Sequence, residues 1–471
     1  MRTHLCRIAV CFWSALALAA GPATAPVSVK LPAYVRQELP NGAVIDLMPR
    51  PGVPLVSLCI FVKGGAESDP PGQGGLASLT AELLRRGTAA RTADRFSEQL
   101  DALGATLDVR TDAQSTSLCT EFLAKDSGRA LDLLSDAVLR PAFPEPEVHK
   151  ALAARMEEIR AMKDDLGEAS QAYFRSFFFG PAHPYGHWPE GDELSLAHLD
   201  RAKIAAYHAR MYTGRNLIVV ATGDFDTGAM SARIAAAFDA ASSGTVYVWR
   251  KDDTPLPPGP RLLLIDKPGA AQTYFRIGNR GVSRYSPDRV PIMLVNSVLG
   301  GRFTSLLNEA LRVKAGLTYG TGSHVEEDRL PGTIATVSST QTNTTAQAIS
   351  LALKVLRELR EKGLTAEQLA STKAYLKGTL PLDTLETPRQ LAMLLGELEI
   401  FGLGRAEIDD LFAKIDGATI ESANAAIRKY FGSDDLVFTL IGDAAKIREA
   451  VKKYAPAMSE VPIERPGFGT Q

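Results

Sequence analysis

The feature that most restricts how this chain can fold is that it repeats itself once. The run Asn216-Leu-Ile-Val-Val-Ala-Thr-Gly-Asp224 has the composition of a buried strand, ends in Gly-Asp and precedes a helical pattern, Met230–Phe238. The same order returns at Leu436-Val-Phe-Thr-Leu-Ile-Gly-Asp443 followed by Lys446–Tyr454, an offset of 219 residues between the Gly-Asp pairs. Two more matches keep nearly that spacing: Ala130–Leu139 with Ala348–Arg357 at 218, and Phe143–Val148 with Leu364–Leu369 at 221. Solenoid repeats are far shorter, so one long offset points to a duplicated domain. A chain of 471 residues has room for two such domains, each with its own core.

Residues 242–260 carry two glycines and four prolines and break both periodicities, which marks a linker. The expected domains are therefore 30–241 and 261–455, with a tail at 456–471 whose prolines and glycines, from Glu460 onward, predict disorder. Within a half, strands give way to helices. Thr106–Arg110 and Ser117–Leu123 read as a hairpin, and Ala130, Leu131, Leu134 and Val138 then recur at helical spacing. A long helix after Phe143 aligns Val148, Leu152, Met156 and Ile159 on one stripe, with Glu158 at its edge. Strands followed by helices predict an α+β layer, a sheet covered by helices on one face.

Arg2, Arg7, the apolar run Ile8–Ala20 and the small residues after it have the order of a secretory signal over residues 1–25. The chain is thus expected to be periplasmic or otherwise exported, with no membrane span after signal removal. Fifty-two Lys and Arg against 54 Asp and Glu give a net charge of -2, so no global basic field recruits nucleic acid. Cys6 and Cys11 leave with the signal, and Cys59 and Cys119 remain in strand-like runs. An oxidising compartment would permit a disulfide if those strands are neighbours; two separately buried thiols are the favoured expectation.

Several segments, in order, carry a resemblance. They are Gly74-Gly-Leu-Ala-Ser-Leu-Thr-Ala-Glu-Leu-Leu-Arg-Arg-Gly-Thr88, Ala153-Ala-Arg-Met-Glu-Glu-Ile-Arg160, His183-Pro-Tyr-Gly186, the strand ending at Asp224, and Lys267-Pro-Gly-Ala-Ala-Gln272. Leu299–Arg312 and Gly316-Leu-Thr-Tyr-Gly320 follow. Together they resemble the pitrilysin/insulinase family of metallopeptidases, or inverted zincins. The resemblance implies two similar α+β domains facing each other as a clamshell, each a mainly antiparallel sheet with helices on one face.

The family's first segment sets two histidines on successive helical turns beside a glutamate base, with a distant glutamate as the third zinc ligand. Here Ser78 stands at the first histidine position, Ala81 at the base position and Glu82 at the second histidine position, while Glu158 matches the third ligand. A hydroxyl and two carboxylates are a poor tetrahedral replacement for imidazoles, so the chain is expected to hold no cofactor and to lack its own zinc-dependent activity. The resemblance is closest to the zinc-free subunit of bacterial two-chain members, in which Arg312 and Tyr319 match residues that donate hydrogen bonds to the substrate. Zinc is then expected on a homologous partner chain, and a peptide is the expected substrate. Taken alone, Arg312 would complement a helix C-terminus and Tyr319 would be a buried strand aromatic.

A structural or assembly protein of the same fold, and an autonomous peptidase with an unrecognised site, are the alternatives. The remaining histidines suggest no second metal site. His183 and His187 lie in a proline- and glycine-rich turn, His149, His198 and His208 read as surface or packing residues, and His324 as a loop residue. Ser78 has no nucleophile elbow, and Gly300-Gly301 are expected to ease packing at a strand-to-helix connection.

Overall fold

The computed structural model describes residues 29–251 and 254–470. The expected signal segment 1–25 lies outside them. The first half contains β1 (Val35–Glu38), β2 (Val44–Pro49), β3 (Leu55–Lys63), β4 (Leu107–Thr111), β5 (Ser115–Leu123) and β6 (Leu217–Gly223). The second contains β7 (Arg261–Asp266), β8 (Gln272–Arg280), β9 (Thr321–Glu327), β10 (Pro331–Gln341), β11 (Val437–Gly442) and β12 (Ala457–Pro462). The two six-stranded sheets run β1-β2-β6-β3-β5-β4 and β12-β7-β11-β8-β10-β9, so five strands of each occupy equivalent places. The outermost strand breaks the equivalence: β1 is antiparallel to β2, whereas β12 is parallel to β7. The Gly-Asp strands β6 and β11 lie inside their sheets and are buried along their whole length. That burial on both faces explains their uninterrupted apolar runs.

Each sheet packs its own helices on one face. In β3, Leu58, Ile60 and Val62 join the core formed with Leu79, Leu83, Leu134 and Ile234. The alternate residues Cys59 and Phe61 point the other way. There they meet Leu391, Leu394, Leu395 and Leu398 of the helix Pro388–Phe401, which belongs to the second half. The exchange is mutual, because Phe174 and Phe178 of the first-half helix Leu166–Phe179 pack on Ala335 and Val437 of the second sheet. Both contacts depend on a glycine. A Cβ at Gly396 would lie 2.1 Å from the Phe61 ring, and one at Gly278 would lie 2.9 Å from the Phe174 ring. Each buried Leu or Phe contributes about 1.5–3 kcal/mol, so the crossed helices join the halves firmly.

Four expectations are corrected. Cys59 and Cys119 are bonded, because β3 and β5 are adjacent and their antiparallel register sets the two residues opposite each other with Cα atoms 4.1 Å apart. The tail is ordered: after β12, Ile463 and Phe468 enter the first-half core, and the Phe468 ring meets Tyr173 edge-on at 5.2 Å. Its proline and glycine set turns instead, with Pro462 ending β12 and Gly467 at φ 82°. His324 is in β9 and not in a loop. Gly300 does ease packing, since a Cβ there would come within 2.4 Å of Ser323 N, but the turn Ser297–Gly301 continues the helix Arg289–Asn296 and does not follow a strand.

The His183-Pro-Tyr-Gly186 turn also joins the halves. The buried Tyr185 hydroxyl accepts hydrogen bonds from Gln114 Nε2 at 2.8 Å and from Leu330 N at 3.0 Å, one from each half. His183 Nδ1 accepts from Tyr185 N at 3.0 Å while its ring stacks on Phe179.

Candidate functional site

The helix Leu76–Leu83 starts under a buried carboxylate. Asp69 Oδ2 accepts from Gly75 N at 2.9 Å and Oδ1 from Ala77 N at 2.8 Å, which satisfies two amides left open by the helix start. Burial pushes the Asp69 carboxyl up, against the opposing pull of His187, whose Nε2 is 3.5 Å away, and of those two amides. His187 is thus a partner of a helix cap.

Ser78, Ala81 and Glu82 follow at i, i+3 and i+4, and the helix packs against the long helix Glu145–Met162. The structure brings Ser78 and Glu158 together, with a third residue between them. Arg155 Nη1 donates to Ser78 Oγ at 2.9 Å, and its Nε donates to Glu158 Oε2 at 3.0 Å. The Arg155 side chain is only 11% exposed, whereas that of Glu158 is 68% exposed. Glu82 does not join them. Its carboxylate is held by Arg85 Nη2 at 2.6 Å and Arg86 Nη2 at 3.0 Å. Ala81 is fully buried and offers no group to a water.

Sequence reasoning passed over Arg155 and Glu190. Burial raises the Glu190 carboxyl, nearby Arg155 opposes that shift, and its buried Oε2 has no hydrogen-bond partner. The signal for Arg155 was present, one helical turn before Glu158 on the same face. A zinc site does not fit here: the donors are one hydroxyl and exposed or already paired carboxylates, and a guanidinium lies between two of the positions. Among the described residues, no group of three or more His, Cys, Asp and Glu is placed to hold a metal ion.

Arg312 and Tyr319 lie in the second half, at the end of the wide helical turn Asn308–Lys314 and in the connection to β9. Leu317 N donates to Leu311 O at 2.8 Å, which folds the connection back on the helix. Thr318 Oγ1 accepts from Gly320 N at 3.1 Å and so braces the residue between them. Tyr319 is 89% exposed, so it is not a buried strand aromatic. The Arg312 guanidinium lies 4.7 Å from the ring centre of the exposed Phe303. Cation–π stacking holds it without using its five N–H donors.

The remaining histidines are accounted for by packing or surface contacts. His208 Nε2 lies 2.8 Å from Val138 O with its ring stacked on Tyr212, and His149 pairs on the surface with Glu145. His198 lines a cavity of about 860 Å³ bounded also by Glu67, Trp188, Arg250 and Phe468.

Two equivalent α+β halves, with a metallopeptidase helix that has no imidazole at its ligand positions, define a two-domain peptidase homologue with an altered metal site. Residues 48–176 match the model described as insulinase (peptidase family M16), and residues 198–376 match that described as peptidase M16 inactive domain. Together these cover more than half of the chain, which belongs to this family. A Mycobacterium tuberculosis protein named uncharacterized zinc protease is 26% identical over 396 residues, 83% of this chain and 90% of that protein. A Helicobacter pylori protein named non-peptidase homolog YmxG is 22% identical over 394 residues, 84% of this chain and 90% of that protein. A solved peptidase M16 inactive domain from Pseudomonas fluorescens matches the fold at a TM-score of 0.81 and 23% identity, covering 87% of this chain and 98% of that one. A protease structure from Helicobacter pylori matches with the same score at 18% identity, covering 88% and 100%. No helix among the described residues is long and apolar enough to cross a membrane.

Proposed function

We propose that this chain is the zinc-free, peptide-binding subunit of an exported two-chain metallopeptidase. Its partner is a homologous chain with both histidines, which carries the zinc. The observation that supports this most is the contrast between the two sites: Arg155 bridges Ser78 to Glu158, whereas Tyr319 is exposed and the half-buried Arg312 is held by ring stacking on Phe303. Zinc on the partner would supply the activated water. Arg312 and Tyr319 would donate hydrogen bonds to the scissile carbonyl and to the oxyanion that develops from it. The peptide would lie extended and add to a sheet edge, where main-chain bonding accepts varied sequences. β4 and β9 are terminal strands of their sheets. The Arg2–Ala20 pattern supports export, and the name of the Helicobacter pylori relative is consistent with a subunit that has no peptidase activity of its own.

Purification of this chain from the exported fraction should recover the zinc-bearing homologue, and mixing the two should produce peptide hydrolysis that neither shows alone. Turnover by the isolated chain with stoichiometric zinc would overturn the proposal. So would full activity of the mixture after Arg312→Ala and Tyr319→Phe.

A further inference from the structure

The absence of zinc ligands does not by itself explain why a guanidinium stands between Ser78 and Glu158. In a metal site of this design, the ion joins the ligand helix to the helix of the third ligand. Here Arg155, itself on Glu145–Met162, makes the connection with one planar fork: it donates across to the Ser78 hydroxyl on Leu76–Leu83 and, within its own helix, to the Glu158 carboxylate. It is nearly buried, and Glu190 contributes a second carboxylate close enough to interact with its charge.

We infer that Arg155 is a resident cation that replaces the metal: it ties the two helices together and keeps the site closed to zinc even when imidazoles are restored. An ion shared by positions 78 and 158 would have to sit where the guanidinium sits. Arginine suits the role because its charge is permanent and its fork meets two acceptors at once. The zinc-free state therefore has two independent causes, missing ligands and an occupied centre. This inference concerns the isolated chain and needs no partner. Its failure would leave the roles of Arg312 and Tyr319 untouched, and theirs would leave it untouched.

The test compares Ser78→His/Glu82→His, with Arg155 kept, against the same pair combined with Arg155→Ala. Zn²⁺ is titrated calorimetrically into each purified chain, and Co²⁺ absorption reports tetrahedral binding. The combined variant should bind one ion per chain about 100-fold more tightly than the pair alone. Equal affinity in the two would overturn the inference, as would absence of binding in both when both melt cooperatively. Should the histidine variants fail to fold, Arg155→Ala in the natural chain decides. Its melting temperature should fall by about 2–4 °C, with Arg155→Lys recovering only part of the loss. An unchanged melting temperature would overturn the inference.

Discussion

In the first half, Cys59 and Cys119 face each other across β3 and β5 and are bonded; in the second, Arg276 and Val337 face each other at the matching place across β8 and β10. The equivalence follows from the register. Cys59 pairs with Val220 of β6 and Arg276 with Thr439 of β11, and these partners are separated by the repeat offset. Where one half has a covalent bond, the other has a half-buried guanidinium whose Nε donates at 3.0 Å to Ser170 on the crossing helix Leu166–Phe179. A second pair differs as sharply. Asp46 of β2 is fully buried with both oxygens lacking a hydrogen-bond partner, and Leu263 of β7 stands at its equivalent place. The duplication thus keeps strand order and register while the chemistry at matched positions diverges. The candidate sites follow suit: in the first half Arg155 pairs with Ser78 and Glu158, and in the second Tyr319 is exposed beside a half-buried Arg312.

The largest effect expected from that contrast is functional. In the reconstituted pair, Arg312→Ala or Tyr319→Phe should each lower kcat about 100- to 1000-fold, read with a chromogenic peptide, whereas Glu82→Gln should change it little. A large loss from Glu82→Gln would mean that the first-half site is not silent.

The next concerns the matched pair in the sheets. Replacing Cys59 and Cys119 by alanine should cost about 2–4 kcal/mol by calorimetry, because the bond closes a loop of 60 residues in the unfolded chain. Arg276→Met should cost less, about 1–2 kcal/mol, since it removes one charged hydrogen bond but relieves a partly desolvated charge. The reverse ranking would show that the second half relies more on its polar tie.

Asp46 adds a dependence on pH. Burial, reinforced by Glu399 and opposed by Arg36, raises its carboxyl to about 7, and burial raises Asp328 to about 7 as well. The folded state then holds protons that the unfolded chain releases near pH 4, so stability falls as pH rises from about 4 to about 7 and levels off above. Asp46→Leu, which copies the second half, should stabilise the protein by about 2–3 kcal/mol at pH 8 and shrink that slope, leaving the part due to Asp328 and the other carboxyls that burial raises, such as Asp69, Asp112 and Glu397. Melting curves at pH 4 and pH 8 check it, and a gain that is the same at both would disprove the assignment.

The last test concerns the symmetry of the crossed helices. Gly396→Ala and Gly278→Ala should each cost about 1–2 kcal/mol, because a methyl group must displace Phe61 at the first and clear Ile334 O, Ala335 and Phe174 at the second. A cost at only one of them would mean that the exchange is not balanced.

The duplicated Gly-Asp strands, the β4–β5 hairpin and the long helix ending beyond Glu158 were legible because period and turn composition are local properties. Ser78, Ala81 and Glu82 could be matched to the family's ligand and base positions only through the resemblance, and their spacing on one helix agrees with that match. The disulfide was not, since it depends on which strands become neighbours and at what register. Nor was the tail, whose two buried side chains find their pocket in the other half. Arg155 was overlooked because a charge on a helix is usually solvated; Glu158 is its neighbour on the same helix, and only the packing of Leu76–Leu83 against Glu145–Met162 brings Ser78 to its other side.

The sequence by itself determined that the chain is built twice and that both halves are α+β; set beside the family it resembles, it also shows Ser78 and Glu82 where that family has histidines. Tertiary structure decided that each half lends a helix to the other's sheet, that Cys59 meets Cys119, and that Arg155 closes the vacated centre. The division has one physical cause: propensity and periodicity act within about a helical turn or a strand pair, whereas burial and charge pairing join residues far apart in the chain.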